Sequence, residues 1–295
     1  MNKKLLIKNK FNYHYEIIES VIVKCREILN LDSSTQLDIY LHLSYKKAAK
    51  KEKYIRRIDK DSFISYISSK YPGIKLEKIK NYDYYINCTI YDEDFNNLDN
   101  NIDSKKKYIS HEITDRLKTN PNVYYLTPLS NYNYIYADVL PYSKKKKVSN
   151  IPIYVIQGNL NQGRRDLKLL NKILDGSYKH KFIIKLIGRG TLPEELERNK
   201  DKIILLNNLN FKDYHKEILD TYCILPLISK EENPEYYNNK LTSTINYARG
   251  YNLKCLIDED LQKIYKLENV EIYKNINDIT ECFIKTLEEF YNNNI

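Results

Sequence analysis

With 295 residues, 42% of them hydrophobic and 29% charged, the chain carries enough apolar side chains for a substantial core and is not an intrinsically disordered protein. Its net charge of +9 favours anionic partners: phosphorylated small molecules, nucleic acid or acidic membrane surfaces. The opening MNKKLLIKNK has too short an apolar run for a signal segment or a membrane span, and the cysteines (Cys25, Cys88, Cys223, Cys255, Cys282) show no CxxC pair. A reducing, cytoplasmic location is expected, with peripheral membrane contact as an option. The 29 tyrosines and absence of tryptophan read as the codon usage of an AT-rich genome, such as that of a large DNA virus.

In chain order, Leu5 to Ile7 predicts a first strand, and residues 16–29 place apolar side chains at helical spacing. LDIYLHL (37–43) predicts a strand. A basic stretch follows, with Lys46, Lys47, Lys50, Lys51, Lys53, Arg56 and Arg57. A helix over 62–70 stops before Pro72-Gly73, and strands are expected over 74–79, 84–90, 107–110, 123–127 and 137–140. The acidic, Asn-rich residues 92–103 predict a surface loop. Pro141 and the lysines 144–147 mark a boundary between domains at 1–147 and 148–295.

Beyond that boundary the pattern turns regular. Strands are predicted at 151–157, 182–187, 202–206, 222–228, 254–258 and 270–273. Helices alternate with them at 165–174, 193–200, 211–219, 242–249, 260–267 and 277–291. Such alternation specifies an α/β fold, here a six-stranded, doubly wound parallel sheet. The apolar runs IPIYVI, FIIKLI, IILL and CILPLI suit strands buried on both faces. The last helix, 277–291, is a candidate to pack back on the N-terminal domain.

In doubly wound sheets, ligands bind beyond the carboxyl ends of the strands. Those ends carry Gly158 with Gly163, Arg164 and Arg165, then Gly188-Arg189-Gly190, then Asn207-Asn208. Last comes the loop 229–240, with Glu235 and Lys240, leading to Thr242-Ser243-Thr244 at a helix start. Glycines admit close backbone approach, guanidinium grips two phosphate oxygens at once, and a helix N-terminus offers free N–H groups. Each taken alone is an ordinary turn or cap; together they favour a nucleotide-diphosphate site.

The second half, over residues 151–270, resembles the donor-binding domain of family-four nucleotide-sugar glycosyltransferases. Gly158 followed by Arg164 and Arg165 is similar to that family's glycine and basic pair, and LIGRG and INYARGYNLKCLID are similar to its nucleobase turn and its helix-to-strand segment. The resemblance implies two Rossmann-like domains facing a cleft (GT-B). It also implies that Arg164 and Arg165, with Lys240, Thr242, Ser243 and Thr244, hold the donor diphosphate. The region of Gly188, Arg189, Gly190, Asn207 and Glu235 would lie by the nucleobase and ribose. KKYISHEI resembles the strand whose histidine sits beside the transferred sugar, here His111; His14 falls in the region that faces the acceptor. One departure is plain: the family's two glutamates, separated by seven intervening residues, align with Tyr237 and Ile245, while Glu231, Glu232 and Glu235 lie out of register.

The leading expectation is a retaining glycosyltransferase that uses a nucleotide-diphosphate sugar and a glycan, protein or lipid-linked acceptor. No Cys/His ligand spacing is present, and no metal cofactor is expected. The alternatives are a catalytically inactive homologue, and a nucleic-acid or membrane-surface binder acting through the basic runs at 46–57 and 144–147. Nucleic acid is the less expected partner, because the chain carries no nucleic-acid motif.

Overall fold

The computed structural model describes residues 2–11, 14–43, 50–129, 133–143, 149–160 and 163–293, without the side chains of 50–58. The basic side chains of 46–57 and the lysines 144–147 therefore lie outside the described residues. The chain divides into two compact units, Met1–Leu140 with Asn239–Leu241, and Pro141–Asn238 with Thr242–Ile295.

The first unit runs β1 (Lys3–Asn9), α1 (Tyr15–Ile28), β2 (Leu37–Leu43), α2 (Lys50–Lys70), β3 (Tyr84–Ile90), β4 (Lys106–Ser110) and β5 (Val123–Tyr125). Its strands form one parallel sheet in the order β2-β1-β3-β4-β5. The order reverses between β1 and β3, which is where such sheets open a ligand crevice at their carboxyl ends. α1 buries Ile17, Ile18, Val21, Ile22, Cys25 and Ile28, the stripe its spacing predicts. The same helix buries Glu19, only 2% exposed. That carboxylate is satisfied by the hydroxyls of Tyr66 (2.9 and 3.0 Å) and Tyr71 (2.9 Å) and by Lys70 Nζ at 2.7 Å. A buried carboxylate so surrounded ties α1 to the end of α2.

Two expected strands are absent. Over 74–79 only Lys75 bridges, to Tyr40 on β2, and the alternating apolar pattern there lies mostly at the surface. Residues 137–140 form no strand.

The second unit runs β6 (Ile153–Asn159), α3 (Leu167–Leu174), β7 (Ile183–Arg189), a 3-10 helix over Glu194–Lys202, β8 (Ile203–Asn207), α4 (Phe211–Leu219) and β9 (Cys223–Ile224). It continues with α5 (Glu235–Asn238), α6 (Ser243–Gly250), β10 (Lys254–Asp258), α7 (Glu259–Tyr265), β11 (Val270–Tyr273) and α8 (Ile279–Asn293). All six strands are parallel, in the order β11-β10-β9-β6-β7-β8. This is the dinucleotide-binding order, with its reversal between β6 and β9. Side-chain caps start three helices: Asp166 accepts from the N–H of Lys168, Asn210 from that of Asp213, and Asp258 from those of Asp260 and Leu261.

The apolar face of α8 (Ile279, Cys282, Phe283, Leu287) lies in the core of its own unit, with Tyr154, Leu170 and Tyr273. One expectation is corrected here: the run IILL is not buried on both faces. It forms the edge strand β8, on which Ile204 is 44% and Leu205 37% exposed.

Candidate functional site

At the reversal of the second sheet, β6 ends in Gln157, Gly158 and Asn159. Gly158 pairs in register with Gly188 on β7. A Cβ on Gly188 would sit 1.6 Å from the Gly158 carbonyl oxygen, so the two strand ends touch backbone to backbone. Gly158 has φ +113°, and a Cβ there would lie 3.0 Å from Nη2 of Arg165. The missing side chain lets the guanidinium lie along the strand end.

Arg165 is held on three sides. Nη2 donates to the Gln157 carbonyl at 2.6 Å and to Thr244 Oγ1 at 3.4 Å, and Nη1 donates to the Arg164 carbonyl at 2.6 Å. Its Nε is buried with no hydrogen-bond partner. Burial pushes its pKa down, and the charged or polar side chains around it are Tyr236, Tyr214 and Arg164. Among the described residues no carboxylate neutralises this desolvated cation, which leaves it available to an anionic ligand. Arg164 is exposed.

The arginines do not open a helix, as the sequence had suggested. They precede α3, which Asp166 caps by accepting the Lys168 N–H. The start of α6 has no side-chain cap: Thr242 stands at the cap position without a capping bond. Gln157 Nε2 donates to Ser243 Oγ at 3.1 Å and Thr244 Oγ1 at 2.8 Å, while Tyr214 donates its O–H to Gln157 Oε1 at 2.7 Å. Thr242 (2%) and Thr244 (0%) are buried and only Ser243 is partly exposed, so the expected trio of ligand-facing hydroxyls narrows to one. Gln157 and Tyr214 are the site residues that sequence reasoning missed; a lone polar residue closing the apolar run IPIYVIQ was the available signal.

The neighbouring loops are braced. Buried Asn233 donates to the Gly163 carbonyl at 3.0 Å, and the Asp166 N–H donates to the carbonyl of Leu227 at 2.7 Å. Leu227 itself takes φ +49°. Gly190 has φ +124°, Arg189 and Asn207 are exposed, and Asn207 Nδ2 donates to the Gly190 carbonyl. Glu235 opens α5, half-buried. The two positions where the resemblance expects glutamates are structural. Tyr237 donates to the Ile228 carbonyl and Asp258 Oδ1, both at 3.1 Å, and Ile245 is fully buried.

In the first unit, His14 and His111 lie with ring centroids 3.9 Å apart and ring planes 36° from parallel. His14 precedes α1 in a left-handed conformation (φ 64°), with Nδ1 3.3 Å from Glu16 Oε1. His111 follows β4. Burial, then the nearby His14 and Lys240, push its pKa well below the ordinary histidine range, while a hydrogen bond to the Cys88 backbone opposes them. Its Nε2 is buried without a partner. A neutral ring held by a carbonyl through one nitrogen presents a lone pair on the other. Lys240, expected on the diphosphate, belongs with these residues. It bridges Glu112 through the backbone, and its Nζ lies 2.5 Å from Glu112 Oε1. Among the described residues no group of three or more His, Cys, Asp or Glu is placed to hold a metal ion. Nor, among them, is any helix long and apolar enough to cross a membrane.

No protein-family model matches the chain, and no curated protein sequence does. Solved structures do. AviGT4, a glycosyltransferase involved in Avilamycin A biosynthesis, matches with a TM-score of 0.55 at 9% identity, over 97% of this chain and 88% of its own. Anabaena Alr3699/HepE in complex with UDP matches with a TM-score of 0.56 at 10% identity, over 98% of this chain and 93% of its own. The same protein with UDP and glucose gives 0.55 at 10%, over 99% and 93%. At such identities the likeness speaks for fold, and the fold is that of these proteins: an α/β chain with two parallel-sheet domains, of five and six strands, of the GT-B type.

Proposed function

We propose that the protein is a glycosyltransferase that takes a sugar from a nucleotide-diphosphate donor, with Arg165 and Arg164 on the diphosphate. The observation that carries this reading is the Arg165 guanidinium, braced at the sheet's reversal with no carboxylate against it among the described residues. A diphosphate supplies the missing negative charge. The same charge and the α6 N-terminus stabilise the nucleotide diphosphate as it leaves, the electrostatic work that a cation does elsewhere. HepE, of like fold, was solved with UDP and glucose, which is in keeping with a nucleotide-sugar donor. In this reading His111, with a neutral ring and a free lone pair, accepts a hydrogen bond from the sugar, and His14 backs it.

A second reading, an inactive donor-binding homologue, draws on Tyr237 and Ile245, whose burial leaves no carboxylate at either expected glutamate position. Thermal shift against UDP, GDP, ADP and their sugars, followed by donor hydrolysis and transfer assays, separates the two. A ligand at one hundred times its Kd adds about 2.7 kcal/mol of stability. Binding with turnover supports the transferase, and binding without it supports the homologue. The absence of any shift with all nucleotide diphosphates would sink both.

A further inference from the structure

A hydroxyl group can accept hydrogen bonds and donate one, so the first turn of α6 could offer a ligand either polarity. Gln157 removes the ambiguity. Its Oε1 can only accept, and it takes the O–H of Tyr214 at 2.7 Å, which turns the amide NH2 group toward α6. That group has two hydrogens and two partners, Ser243 Oγ at 3.1 Å and Thr244 Oγ1 at 2.8 Å. Thr244 Oγ1 also lies 3.4 Å from Arg165 Nη2. Both hydroxyl oxygens are thus already accepting, and among the described residues neither has an acceptor for its own hydrogen. The main-chain carbonyl of the same Gln157 holds Arg165 at 2.6 Å.

We propose that Gln157, oriented by Tyr214, is a positioning residue that sets the polarity of the anion site. Gln157 turns Ser243 into a hydrogen-bond donor and keeps the Arg165 guanidinium beside it. The cradle then presents donors alone, which suits the acceptor-only oxygens of a diphosphate and rejects ligands that bring a hydroxyl hydrogen to the same place. This inference rests on the diphosphate reading above. Ser243 is the hydroxyl through which it acts, since Thr244 is fully buried.

Isothermal titration of purified full-length protein with inorganic pyrophosphate and with UDP tests it. Tyr214→Phe removes one oxygen and leaves the ring; affinity is expected to fall about fivefold, the order of one neutral hydrogen bond. Gln157→Met is expected to cost about tenfold. Gln157→Glu keeps the shape and reverses the polarity, because an ionised carboxylate accepts from both hydroxyls, so it should lose the most. A packing role would rank the variants by shape, with Gln157→Glu nearest wild type. Combined with Ser243→Ala, Gln157→Met should cost less than the two single losses multiplied together. Wild-type affinity in Tyr214→Phe, or a Gln157→Glu protein that binds as tightly as wild type, overturns the proposal even if Gln157→Met does not fold. If these variants bind normally while Arg165→Ala loses UDP, Gln157 has no such role and the diphosphate reading stands. If wild type ignores both pyrophosphate and UDP, the two fall together.

Discussion

The carbonyl oxygen of Gly158 occupies the space where a side chain on Gly188 would begin, 1.6 Å from the ideal Cβ position. Backbone cannot yield there as the tip of a flexible side chain would. Gly188→Ala must part β6 from β7 where the proposed anion site begins, and it should destabilise the second unit by about 3 kcal/mol or more. Gly163→Ala is the control. Nothing lies within 4 Å of its Cβ, and the cost should be only the ~1–2 kcal/mol of a left-handed residue at φ +81°. Urea titration of the two variants checks the ranking.

Arg165→Ala should raise the Kd for UDP by about tenfold or more, as expected for a charge-assisted contact of about 1.5–3 kcal/mol. Arg164, exposed and without that brace, should cost less. The fold should hold, because removing a desolvated cation that no described carboxylate balances also removes a burden from the folded state. Equal UDP binding by wild type and Arg165→Ala would refute the assignment.

His111 should stay neutral well below pH 6.5, since burial and the neighbouring His14 and Lys240 oppose its protonation. The sign follows from linkage. Below the unfolded pKa the unfolded chain takes up a proton that the folded chain refuses, so stability from this residue is complete above about pH 6.5 and is lost as pH falls toward the folded pKa. Wild type should therefore lose more stability than His111→Gln on acidification through that window. His111→Ala should depress sugar transfer while UDP affinity barely changes. Normal turnover in that variant would return the residue to a structural role.

Ile245 is fully buried at the turn where the resemblance expects a carboxylate on the ribose. An apolar side chain takes no hydrogen bond from ribose hydroxyls, so affinity should rest on phosphate and base. UDP and its 2′-deoxy form should then bind within a few-fold of one another, whereas a buried ribose contact discriminates by about 1–3 kcal/mol. A strong ribose preference in calorimetry would point to a substitute, and Glu235, half-buried at the start of α5, is the first to mutate.

Much of this architecture is legible in residue order, for physical reasons. β3, β10, β11 and α4 stand where periodicity places them, because each has an apolar pattern closed by a turn or a capping side chain. Residues 74–79 mislead because alternation is a local signal, and a strand needs a ladder that this segment finds only at Lys75. Arg164 and Arg165 announce themselves by charge and spacing. The rest of the site depends on long-range pairs: Tyr214 to Gln157, Gln157 to Thr244, and Lys240 to Glu112. No window along the sequence contains them. The start of α3 was misjudged for the opposite reason, since Asp166 was there to be read as a cap.

The open edge at β8 bears on how the protein behaves in a test tube. Its outer side shows Ile204 and Leu205 with no charged residue between Ile203 and Asn207, the sort of border along which strands of separate molecules pair. A net charge of +9 gives the molecules a mutual repulsion that opposes such pairing. That repulsion reaches about 10 Å at 0.1 M salt and about 3 Å at 1 M. Concentrated salt, often added to keep basic proteins in solution, should here raise light scattering with time. Ile204→Lys should abolish the rise and leave UDP affinity as it was.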